Sequence, residues 1–132
     1  MATPLDTALV DDYTAGVNMP LASQAGYAVR ASADGTNYEF VGPQSLAGSG
    51  VWDGKAPQIL VSGSGARAIT LKNGYFLGQE VTVVDALGNA STGTITVGVS
   101  EGAINGVTSL TANGDTRTYM YVSAGVWRRA AG

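Results

Sequence analysis

Neither cysteine nor histidine occurs among the 132 residues. Those two absences exclude disulfide staples, Cys/His metal centres, thiol nucleophiles and any Ser–His or Cys–His catalytic pair. Charge is scarce as well: Asp, Glu, Lys and Arg make up 13% of the chain, about half the usual share. Ten acidic against seven basic residues leave a net charge of −3. The basic residues are scattered at Arg30, Lys55, Arg67, Lys72, Arg117, Arg128 and Arg129, and only the last two are adjacent. No basic face suited to a phosphate backbone emerges, so no nucleic-acid partner is expected. No run approaches the ~18 apolar residues of a membrane-spanning helix. Residues 1–10 lack the basic and apolar regions of a secretory signal. No membrane partner is expected either.

What the chain does have is glycine and alternation. Glycine occurs 19 times, about twice average usage, while 45% of residues are hydrophobic, enough for a core. The length is that of one domain, which buries about two thirds of its unfolded surface. In Thr94-Ile95-Thr96-Val97-Gly98-Val99 the apolar residues fall at every second position, and Val81 and Val83 repeat the pattern in 79–84. In 117–122, Thr118, Met120 and Val122 fall on one side and Arg117, Tyr119 and Tyr121 on the other. Period two in β-branched and aromatic residues marks half-buried strands. The pattern predicts strands near 27–32, 37–41, 58–62, 67–71, 79–85, 94–99, 107–111, 117–123 and 126–129. Between them stand Asp34-Gly35, Asp53-Gly54, Asn73-Gly74, Asn105-Gly106 and Asn113-Gly114. Such Asx-Gly pairs accept the positive φ of tight turns. The expected fold class is all-β: short antiparallel strands in a small sandwich or barrel-like unit.

Residues 1–25 break the pattern. Thr3-Pro4 suits a helix N-terminus, with Thr3 as cap; an extended arm ordered against a partner is the equal alternative. Leu5, Leu9, Val10, Val17, Met19 and Leu21 lie here without an obvious strand, and they are the candidate partner-anchoring residues. Gly42–Gly50, rich in Gly and Ser, reads as a linker. The expected organisation is an attachment arm plus hairpin over 1–41, a linker over 42–50 and a β unit over 51–132. Units this small have little core of their own, which favours an oligomer.

Sites of chemistry are sparse. Asp34, Asp53 and Asp115 occupy turn positions where the carboxylate caps backbone N–H groups, a better reading than a glycosidase pair. Asp85-x-x-Gly88-Asn89 carries oxygen ligands but lacks the full Asp-rich calcium loop and its bidentate Glu. Gly48-Ser49-Gly50 and Ser62-Gly63-Ser64-Gly65 lack the Lys-Ser/Thr ending of a phosphate loop. No catalytic residue, cofactor or metal is therefore assigned. Tyr119, Tyr121 and Trp127 fall in the last predicted hairpin as core or subunit-interface aromatics.

Two segments resemble bacteriophage virion proteins. Gly26-Tyr27-Ala28-Val29-Arg30 through Asp34-Gly35-Thr36-Asn37-Tyr38-Glu39-Phe40-Val41 is similar to a hairpin of tail-fibre and head-fibre proteins. Gly78-Gln79-Glu80-Val81-Thr82-Val83-Val84-Asp85-Ala86-Leu87-Gly88-Asn89-Ala90, then Ile95-Thr96-Val97, Ile104-Asn105-Gly106 and finally Val126-Trp127, follows the order of a trimeric β module in phage fibres and capsid decorations. The two segments span roughly two thirds of the chain. The resemblance implies a non-enzymatic structural protein of the virion, made in the cytoplasm of an infected bacterium. It would be a homotrimer and contact the major capsid protein or another virion protein. The length favours a capsid decoration (cement) protein or short head fibre over a module of a long fibre. The alternative is a short tail-fibre or receptor/glycan-binding module. Of the residues singled out, 1–25 would form the attachment arm, and Tyr119, Tyr121 and Trp127 would lie in the core or at an interface.

Overall fold

A computed structural model describes residues 28–32 and 35–131. The arm, including Leu5, Leu9, Val10, Val17, Met19 and Leu21, lies outside the described residues, as does Asp34. The chain divides into two units at Gly42/Pro43. In the first, β1 (Ala28–Ala31) and β2 (Tyr38–Val41) form an antiparallel hairpin with Arg30 opposite Glu39. Their side chains pair at 3.7 Å. Ser32 closes the turn: its N–H donates to the Asn37 carbonyl, and its hydroxyl accepts from the Asn37 N–H.

The second unit is a two-sheet sandwich. Its strands are β3 (Gln44–Leu46), β4 (Gly50–Val51), β5 (Gln58–Val61), β6 (Arg67–Leu71), β7 (Glu80–Asp85), β8 (Ile95–Val99), β9 (Ala103–Asn105), β10 (Ser109–Leu110), β11 (Thr116–Ser123) and β12 (Val126–Ala131). A six-stranded sheet runs β3-β5-β7-β11-β12-β9, and a four-stranded sheet runs β10-β8-β6-β4. From β3 to β8 the chain alternates between the sheets, making three successive coils. Each strand re-enters its sheet after crossing the other one, so β3, β5 and β7 run parallel, and so do β4, β6 and β8. A parallel return needs a crossover; here the crossover is a strand of the opposite sheet. The β11–β12 hairpin packs antiparallel beside β7, and β10 antiparallel beside β8.

The all-β class and the sandwich hold, and all nine expected strands are present. Their antiparallel arrangement does not: five of the eight pairings in this unit are parallel. The linker expected over 42–50 is also corrected, since β3 and the first residue of β4 form the outermost coil. These edge strands are short, and polar side chains complete them. The Gln44 amide donates to the Val51 carbonyl at 2.9 Å and accepts from the Asp53 N–H at 2.9 Å. The Ser49 hydroxyl accepts from the Ala68 N–H.

The core lies between the sheets. Ile59, Val61, Val81, Val83, Tyr119 and Trp127 come from one sheet, and Ile69, Leu71, Ile95, Val97 and Leu110 from the other, with Trp52 between β4 and β5. Val81/Val83 and Ile95/Val97 are buried as their alternation predicts.

Candidate functional site

The aromatic residues expected at a subunit interface are internal. Tyr119 and Trp127 are fully buried and Tyr121 nearly so. Trp127 packs edge-on to Trp52 and against Tyr121, whose ring centroid is 5.1 Å away. Each polar atom has a partner. The Trp127 indole donates to the Lys72 carbonyl at 2.9 Å and the Trp52 indole to the Ala56 carbonyl at 2.8 Å. The Tyr119 hydroxyl donates to the Val107 carbonyl, and the Tyr121 hydroxyl accepts from the Gly125 N–H. Burial pushes the Tyr119 phenol up to about 12. These residues are the core, and the interface assignment for Tyr119, Tyr121 and Trp127 is withdrawn: their rings fill the space between the sheets.

The polar groups with the fewest solvent contacts hold loops in place. Arg67 is buried, and its guanidinium donates to four carbonyls: Gly65 at 2.9 Å, Ser62 at 3.2 Å, Gly63 at 3.3 Å and Gly93. Asp85, also buried, accepts from the N–H groups of Ala90 and Gly114, each at 2.9 Å. Burial raises the Asp85 pKa, but the bonds from Gly114, Ala90 and Asn89 and the nearby Arg67 charge outweigh it, leaving the carboxyl below its ordinary 3.8. Asp115 accepts from the Thr111 and Ala112 N–H groups, and Asp53 from those of Lys55 and Ala56. The turn role assigned to Asp53 and Asp115 is thus what the geometry displays. Asp85, weighed in the sequence only as a weak calcium ligand, spends its carboxylate on the β7–β8 and β10–β11 loops. Among the described residues no cluster of three or more metal-ligating His, Cys, Asp or Glu side chains occurs.

The sequence reading missed the loop from β6 to β7, where Tyr75, Phe76 and Leu77 are 48%, 56% and 64% exposed. Three consecutive bulky apolar residues in solvent are unusual on a folded domain. The loop is nonetheless firmly held. The buried Gln79 side chain accepts from the Tyr75 N–H at 2.7 Å and donates to the Gly54 carbonyl at 3.2 Å. The Gln79 N–H closes a β-turn on the Phe76 carbonyl at 3.2 Å, with Gly78 at φ 91°. Asn73-Gly74, read as a positive-φ turn, serves another purpose: a Cβ at Gly74 would lie 2.6 Å from the Tyr121 ring, so glycine lets the loop close over the core. The result is a preorganised apolar tip, with little ordering entropy left to lose on contact. Run-of-three exposure was readable in Tyr75-Phe76-Leu77 only as absent alternation.

No protein-family model matches the chain, and no curated protein matches it significantly.

Proposed function

We propose that this chain is a structural protein of a bacteriophage virion, a capsid decoration (cement) protein or short head fibre, acting as a homotrimer through surface contact and not through catalysis. Its partner is the major capsid protein or another virion protein, and its place is the particle. The observation that carries the reading is the Tyr75–Leu77 tip: a rigid, exposed apolar contact on a scaffold whose Asp53, Asp85 and Asp115 carboxylates are engaged with backbone N–H groups. The order of the resembling segments supports it as well, since they fall on the β1–β2 hairpin and on the strands from β7 to β12.

In this reading residues 1–25 are the attachment arm. Fully burying each of six large aliphatic side chains contributes roughly 1.5–3 kcal/mol, offset in part by ordering costs of about 1–2 kcal/mol per backbone residue. The test is deletion of residues 2–25, read by thermal unfolding of the free protein and by binding to undecorated particles. Lost binding with nearly unchanged unfolding is expected. Unfolding on deletion would place these residues in the core and contradict the arm. The exposed rings of Tyr75 and Phe76 favour a second reading, a tail-fibre or receptor module in which they stack on a glycan; glycan binding abolished by Phe76→Ser would support it.

A further inference from the structure

The two outer faces of the sandwich differ in kind. On the four-stranded sheet the outward residues of β6, β8 and β10 are small, Ala68, Thr70, Thr96, Gly98 and Ser109, with Val51 of edge strand β4 beside Thr70. On the six-stranded sheet they are bulky. Leu60 lies opposite Val84, Thr82 opposite Thr118, and Glu80, Met120 and Arg128 form one row across β7, β11 and β12. The Thr82 and Thr118 hydroxyls meet at 2.8 Å, fixing that both point out from the same face. Val122 is 38% exposed at the end of β11, beside the Gly78 N–H that donates to the Tyr121 carbonyl, so the apolar tip adjoins this face.

Charge and area bear on what covers it. The central row reads acid, apolar, base: Glu80 on β7, Met120 on β11, Arg128 on β12. A ring of copies around an axis parallel to the strands, passing beside Met120, brings Arg128 of one copy to the β7 side of the next. Glu80 is the charge waiting there, and the pairing closes head to tail. At strand spacings of ~4.8 Å and ~3.4 Å per residue the face spans about 400–500 Å² in projection. Leu60, Thr82, Val84, Thr118 and Met120 are part-buried and a ring divides the face between two neighbours, so the charge pair, more than the area, selects a second copy.

We propose that copies of this chain meet on the outer face of the six-stranded sheet, formed by Leu60, Thr82, Val84, Thr118, Met120 and Val122, with Glu80 and Arg128 paired between neighbours. The proposal rests on the homotrimer reading above and names the surface that makes it.

The experiment is light scattering and sedimentation of the full chain over a range of concentrations. Wild type is expected at three chain masses. Met120→Glu is expected at one chain mass with its unfolding transition retained, and Thr96→Glu, on the opposite sheet, at three. Glu80→Arg and Arg128→Glu should each weaken assembly at least tenfold, and the double reversal should restore it. If Met120→Glu fails to fold, the more exposed Val122→Glu and the charge reversals decide in its place. A trimeric wild type with trimeric Met120→Glu and Val122→Glu variants overturns this face while leaving the homotrimer intact. A wild type that stays monomeric at every concentration overturns the homotrimer itself.

Discussion

The indole rings of Trp52 and Trp127 meet edge to face, with centroids 5.5 Å apart at 83°. One stands before β5 and the other on β12, so this contact ties the outer coil of the sandwich to its last strand. Trp127→Ala should therefore destabilise by about 3–5 kcal/mol, the range for emptying a buried aromatic site, and also orphan the Lys72 carbonyl. Chemical denaturation checks this; a loss under 1 kcal/mol would show that the core closes without it.

Arg67 and Asp85 make stability sensitive to acid. The Asp85 carboxyl is depressed in the folded state, so its contribution is complete above the unfolded value near 3.8 and is lost as pH falls through the lower folded value. Stability should hold from neutral pH down to about 4 and fall below it. Asp85→Asn should lower neutral-pH stability by about 1–3 kcal/mol and flatten the acid limb. Arg67→Met leaves four carbonyls and a buried carboxylate without their cation; a loss of about 3–5 kcal/mol is expected. Denaturation series from pH 2 to 8 on the three proteins are the check.

Tyr119 does the same at the alkaline end, with opposite sign. Its phenol is raised to about 12 from 10, so the neutral ring's stabilisation is complete below pH 10 and is lost as pH climbs toward 12. Tyr119→Phe removes the bond to the Val107 carbonyl at a cost of about 1 kcal/mol and should make the alkaline limb shallower. An unaltered limb would assign that sensitivity to other groups.

Val97 faces the core from β8 and is 2% exposed. Val97→Asp would bury an unpaired charge and is expected to cost several kcal/mol. A soluble Val97→Asp protein with wild-type melting would contradict the placement of β8.

Period two in the sequence located strands and their buried faces well, because alternation depends only on one face being covered. It carries nothing about direction, since parallel and antiparallel strands alternate alike. Asx-Gly and Gly-Ser turns mark where the chain reverses, and here Asp53-Gly54, Ser62–Gly65, Asp85–Asn89 and Asn113-Gly114 carry it to the opposite sheet instead of into a hairpin. β3 and β4 escaped notice because Gln44 and Ser49 side chains, not apolar residues, complete them. The aromatics of β11 and β12 were legible as core or interface, and only the packing of Trp52 on Trp127 separates the two.

The most direct test of a virion role is antibody labelling of purified phage particles from cells that produce this chain, imaged by negative stain. Label at regular positions on the particle, and on the head if the chain is a decoration or head fibre, is the expected result. Particles bare of label, with the chain abundant in the same lysate, would contradict it.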